Sequence, residues 1–170
     1  YKWLPNDLLA SEETLGDDGT GAIRQLTFRS FTYDEKNRKI TETIKSFKND
    51  PNVFENLETI FFYDNMDRIV KHVNNRGGIT TKQYDSLGRL QLESDPMGNE
   101  VHNFYDNNGN LIKTESHHKE PDGSVSVIFK EFEFDERNRQ TAIVEPDGAK
   151  IINRYDDRNL IVSLTDQRGI

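Results

Sequence analysis

The side chains with chemical reach in this sequence are four histidines, 30 aspartates and glutamates, and a set of regularly placed aromatics. A zinc site asks for His, Cys, Asp or Glu ligands converging on one point. Of His72, His102, His117 and His118 only the last two are adjacent, and adjacent strand residues point to opposite faces. His102 could face His72 across strands, but no third ligand accompanies them, so polar strand positions are the default for all four. Columns of aspartate could bind Ca²⁺, yet the EF-hand loop spacing is absent and a turn gives aspartate sufficient reason of its own. Nucleophile-elbow, phosphate-loop and zinc-hydrolase motifs are missing, and the absence of cysteine removes thiol chemistry and disulfides. Turn carboxylates such as Asp122 and Asp147 recur by repetition, not as an acid–base pair. The residues therefore predict no enzyme, no cofactor and no metal. Aromatic columns can stack on sugars, which leaves a glycan open as a ligand class.

Composition describes the scaffold that carries these residues. Of 170 residues, 33% are hydrophobic, 31% charged and 10% aromatic, and the mean hydropathy is -0.85. Low hydropathy with high charge is a disorder signature. The aromatics, however, sit in short β-prone runs such as Ile60-Phe61-Phe62-Tyr63, which favours a thin, ordered, solvent-rich β structure. A net charge of -8, with basic residues scattered among acidic ones, predicts no nucleic-acid partner. No apolar run is long enough for a membrane-spanning helix, and no signal-peptide pattern opens the chain.

Sliding the sequence against itself exposes a repeat. An aromatic–Asp pair recurs as Tyr33-Asp34, Tyr63-Asp64, Tyr84-Asp85, Tyr105-Asp106, Phe134-Asp135 and Tyr155-Asp156, at spacings of 30, 21, 21, 29 and 21. Trp3-Leu4-Pro5-Asn6-Asp7, 30 residues before Tyr33, reads as a worn first copy. Four residues after each aromatic stands Asp7, Asn37, Asp67, Gly88, Gly109, Asn138 or Asn159. These types tolerate positive φ, and the column predicts a type I turn closed by a left-handed residue in a G1 bulge. Asp opens such a turn well because its carboxylate accepts the backbone N–H two residues on.

This turn sets the pairing. The aromatic must oppose the residue six positions later, giving Tyr63 with Ile69, Tyr84 with Leu90, Tyr105 with Leu111 and Tyr155 with Ile161. Such aromatic–aliphatic cross-strand pairs contribute about 0.2–1 kcal/mol each. The same turn sets Asp beside Arg in Asp34/Arg38, Asp64/Arg68, Asp85/Arg89 and Asp135/Arg139, which holds it in register. A second turn follows at Asn74–Gly77, Asp95–Gly98, Glu145–Gly148 and Asp166–Gly169. In the Tyr105 copy it slips to Glu120–Gly123, four extra residues per strand, which keeps every side chain on its face. Asn49–Asn52 takes the same role in the Tyr33 copy and Asp17–Gly19 in the Trp3 copy. Seven units starting near 3, 33, 63, 84, 105, 134 and 155 thus form one array over 1–170, with three long hairpins projecting beyond one edge. The expected fold is all-β, an antiparallel meander of repeated β-hairpins forming a curved strip or part of a β-shell.

Tyr84-Asp85-Ser86-Leu87-Gly88-Arg89-Leu90, followed by Asp95-Pro96-Met97-Gly98, resembles the YD repeat of RHS-type proteins. The resemblance covers nearly the whole chain and is specific between Tyr63 and Leu111. Lys39 and Gln140 depart from the usual Leu, and Asn110 and Leu160 from the usual Arg. The resemblance implies a long antiparallel sheet wound into a hollow shell. In bacterial polymorphic and insecticidal-complex toxins that shell encloses a toxic domain; in teneurin-like arrays it serves cell-surface adhesion. It thus implies a non-catalytic structural segment, of bacterial origin, that encapsulates a toxin or builds a secreted surface protein. A cell-surface adhesion or carbohydrate-binding module is the alternative. The partners implied are neighbouring YD repeats of a longer protein and an enclosed toxin domain. A start without Met and a stop just past a second turn predict a fragment of a longer chain. Open strand edges near Tyr1–Leu4 and Leu160–Leu164 predict edge-to-edge self-association.

Overall fold

A computed structural model describes residues 1–17, 23–47 and 54–166. They form fourteen β-strands and no helix. The strands divide between two compact units, Tyr1–Thr81 and Lys82–Ile170. The first holds β1 (Lys2–Trp3), β2 (Leu9–Asp17), β3 (Ile23–Tyr33), β4 (Lys39–Phe47), β5 (Phe54–Tyr63) and β6 (Ile69–Val73). β7 (Ile79–Tyr84) runs across the division. The second holds β8 (Leu90–Ser94), β9 (Glu100–Tyr105), β10 (Leu111–Lys119), β11 (Val125–Phe134), β12 (Gln140–Val144), β13 (Lys150–Tyr155) and β14 (Ile161–Asp166). Strand order follows chain order without a crossover, so the all-β antiparallel meander is the observed fold class.

Turn chemistry explains why the chain reverses where it does. Asp7, Asn37, Asp67, Asn138 and Asn159 have φ of 62, 64, 63, 59 and 65°, and Gly88 and Gly109 have 85 and 91°. Each closes a bulged turn: Asp85 N–H donates to Arg89 O at 2.9 Å and Gly88 N–H to Asp85 O at 3.0 Å, and the other copies match. The second turns share this geometry, with Gly77, Gly98, Gly123 and Gly148 at φ of 77–87°. The bulge shifts the register between Phe62 and Tyr63 so that Tyr63 faces Ile69; Tyr105 likewise faces Leu111 and Tyr155 faces Ile161. Asp17 is the last residue of β2, opposite Ile23. Asp18, Gly19, Asn49–Asn52 and Gln167–Gly169 lie outside the described residues.

The long hairpin of β10 and β11 exceeds the short one that follows it by an even number of residues per strand, which keeps each side chain on its face. β10 and β11 span 9 and 10 residues against 5 and 6 for β12 and β13, four more each. Among the described residues no large side chain is fully buried; Ala142 and Thr80 alone count as buried. Within each unit the strands form one layer, so hydrogen-bond ladders and turns carry the order that a core carries elsewhere.

The left-handed turn residue gives the first test. Gly88→Val forces a β-branched residue to φ near 85° and is expected to destabilise by about 1–2 kcal/mol in denaturant titration; an unchanged midpoint would contradict the turn assignment.

Candidate functional site

The polar residues of the repeat converge on the first-turn row, where the aspartate organises everything near it. Asp85 Oδ1 accepts the N–H groups of Leu87 and Arg89, both at 2.9 Å, while Oδ2 accepts Arg89 Nε at 2.6 Å. Asp34, Asp64 and Asp135 repeat this with Arg38, Arg68 and Arg139. Where Arg is lost, Asn110 Nδ2 takes the second oxygen of Asp106 at 2.8 Å, and Arg158 reaches that of Asp156 from within the turn. In the second turns Asn74 and Asp95 cap identically. A Glu opens the turns at 120 and 145; there Asp122 and Asp147 accept the Ser124 and Ala149 N–H instead.

The next level joins one copy to the next. The ladder between β8 and β9 stops at Leu92 opposite His102, short of the turn row. The carbonyl of Leu90 accepts the Tyr105 hydroxyl at 2.8 Å and Asn103 Nδ2 at 3.1 Å. Gln140 O receives Tyr155 and Asn153 in the same way, Lys39 O receives Tyr63, and Leu9 O receives Tyr33. The acceptor is always the residue six after the preceding aromatic. Over three of these four rings lies the preceding copy's guanidinium: Arg89 over Tyr105 at 4.4 Å, Arg139 over Tyr155 at 4.6 Å and Arg38 over Tyr63 at 4.7 Å. Arg89 also donates to Asp106 O at 3.2 Å, tying it to the next turn. Phe134 occupies the tyrosine position without a hydroxyl.

Four non-glycine members of the left-handed column have a second role. Asn37 Oδ1 accepts Asn6 Nδ2, Asp67 Oδ1 accepts Arg38, Asn138 Oδ1 accepts Asn110 Nδ2, and Asn159 Oδ1 accepts Arg139. Each donor belongs to the preceding copy, so the strained residue is also a link. These links were readable in one respect only: five of six aromatic–Asp copies carry Tyr, not Phe, which asks for a use of the hydroxyl.

The histidines are arranged differently from the sequence expectation. His102 meets His117, with ring centroids 4.5 Å apart, because Glu115 stands opposite His102 in the β9–β10 register. Their Nε2 atoms lie 2.9 Å from Glu100 and 3.3 Å from Glu115. His72 tilts against Phe61. Among the described residues no three His, Cys, Asp or Glu side chains are placed to hold a metal ion, and no helix is long and apolar enough to cross a membrane.

Hydrogen bonding holds seven turn-opening aspartates below the ordinary value of 3.8. For Asp34 and Asp64 the Arg38 and Arg68 side chains act most strongly; for Asp85, Asp135 and Asp156 it is the backbone N–H four residues on; for Asp95 and Asp106 it is the Asn99 and Asn110 side chains. A carboxyl whose pKa is lower folded than unfolded stabilises the fold above the unfolded value and loses that contribution as pH falls through the folded one. The melting temperature is therefore expected to be level above about pH 5 and to fall steeply below pH 4; a flat profile to pH 3 would contradict the caps. Tyr105→Phe removes the shorter of the two side-chain bonds to the Leu90 carbonyl, leaving that from Asn103, and is expected to cost about 1 kcal/mol, whereas Phe134→Tyr adds a donor toward Leu111 O and should gain a similar amount; chemical denaturation checks both signs.

No protein-family model matches the sequence, and no curated protein matches it. Solved structures do match in fold. One is a crystal structure of TcdB2-TccC3-TEV, with TM-score 0.61 and 12% identity, covering 97% of this chain and 9% of that one. Another is the Photorhabdus luminescens Tc holotoxin pore carrying the TccC3 mutation D651A, with TM-score 0.61 and 13% identity, covering 84% of this chain and 8% of that one. The chain thus spans less than a tenth of the length of these toxin-complex chains, and at such identity the likeness is one of fold: the hairpin meander built here is also built there.

Proposed function

We propose that the chain is a structural, non-catalytic stretch of an RHS/YD-repeat shell in a secreted bacterial protein, where it helps to enclose a toxin domain. The observation that carries this reading is the use made of the polar residues. Asp85, Arg89 and Tyr105, which are types an active site also draws on, spend their bonding groups on one another and on backbone atoms of adjacent turns. Repetition of that lock along the chain gives length and stiffness, which a wall requires and a catalytic cleft does not. The fold shared with the toxin-complex structures supports the same reading. A glycan-binding module needs free aromatic faces, yet Lys71 and Lys113 ammonium groups stand 5.0 and 5.9 Å over the half-exposed rings of Phe62 and Phe104. The sugar reading is correspondingly weaker.

The test uses the full-length protein that contains this array. Limited proteolysis is expected to spare the enclosed domain in the native protein and to cut it sooner when Tyr105 and Tyr155 are both changed to Phe. Equal cleavage of that domain with and without the array would overturn the proposal. A chelator is expected to leave the melting curve of the array unchanged; a loss of structure on chelation would reinstate Ca²⁺ as part of the fold.

A further inference from the structure

Strand β11 outruns the strand on its far side. β12 pairs with it only from Glu131, opposite Val144, to Phe134, opposite Gln140. Residues 125–130 therefore have β10 on one side, and among the described residues no strand on the other. The turn bond from Glu120 N–H to Ser124 O, with the register Lys119 opposite Val125, fixes the direction of each backbone group. Antiparallel bonding alternates along a strand. Ser126, Ile128 and Lys130 thus face β10, and Val125, Val127 and Phe129 turn their N–H and C=O groups to the open side. These three residues are 55, 49 and 44% exposed.

Open strand edges are ordinarily blocked by charge, proline or a bulge. The comparable overhang of β5, past the point where Ile60 meets Val73 of β6, carries exposed Glu55 and Glu58. The first five residues of the β11 overhang read Val-Ser-Val-Ile-Phe, without charge or proline; its one charge, Lys130, stands at the β12 end and is paired with Glu145 at 2.8 Å, and the ladder with β10 has no register shift. One of the two edges is defended and the other is not.

We infer that the β11 overhang is a self-recognition edge, onto which the same edge of a second copy adds as an antiparallel strand. Its register is self-complementary. A two-fold axis at Val127 sets Val127 opposite its own counterpart and Val125 opposite Phe129. All three residues already direct their backbone groups outward, as hydrogen-bonded pairs require. Ser126 falls opposite Ile128, so no charge meets charge anywhere in the five-residue pairing. A partner strand of unrelated sequence could use the same backbone groups, but the symmetric match favours a second copy. The contact is short, well below the roughly 1,200 Å² of stable interfaces, so association is weak and depends on concentration. This inference goes beyond the shell reading and does not rest on it.

Analytical ultracentrifugation at rising concentration tests it. The native chain is expected to shift from one-chain toward two-chain mass. Val127→Pro removes an outward N–H at an edge position where proline is tolerated, and Val127→Lys places a charge on the symmetry axis. Both variants should stay at one-chain mass, with at least Val127→Lys keeping the native circular dichroism spectrum and melting curve. A native chain of one-chain mass at every concentration would overturn the inference. So would variants that associate as the native chain does, since the contact would then lie on another edge such as β1 or β14.

Discussion

Where two successive hairpins part at the turn row, a backbone carbonyl loses its ladder partner. A carbonyl left unbonded away from water costs free energy comparable to a lost hydrogen bond. The chain meets this cost with a tyrosine hydroxyl from the next copy, seated under the guanidinium that the preceding turn holds in place. Aspartate, turn, arginine, ring and carbonyl therefore form one dependent series. The aspartate orders the turn, the ordered turn presents the arginine, the arginine covers the ring, and the ring delivers its hydroxyl. With almost no buried side chains among the described residues, this series joins neighbouring hairpins at the turn row, where the ladders between them have ended.

The same dependence accounts for which substitutions the repeats tolerate. Asn110 replaces Arg and still bonds both Asp106 and Asn138, keeping the link between copies with a shorter side chain. Lys39 replaces Leu opposite Tyr33, and its ammonium bonds Glu42 and lies near the rings of Phe31 and Phe61. Phe134 keeps the ring and gives up the hydroxyl. Each change weakens one bond of the series while leaving the strand register unaltered, because the register is set by the turn.

Local rules made the hairpins legible in the sequence. The Gly/Asn/Asp column follows from left-handed φ, and the pairing of Tyr63 with Ile69 follows from a bulge of known size. Contacts between copies were less accessible, since they depend on where each ladder ends. The Tyr105 hydroxyl, the Asn138 acceptor and the His102–His117 contact all lie across strands that self-comparison of the sequence does not align. The open edge of β11 likewise appears only once β12 is seen to stop at Val144. The surplus of Tyr over Phe at one position was the sole written trace of the interlock.

The central claim is that the tyrosine bond couples each copy to the one before it. Native-state hydrogen exchange on Tyr155→Phe measures this most directly. The account predicts faster exchange in β12, the strand that supplies the Gln140 carbonyl, as well as in β13, which carries residue 155. Loss of protection confined to β13 and β14, with β12 unchanged, would show that the hairpins stand independently and would contradict it.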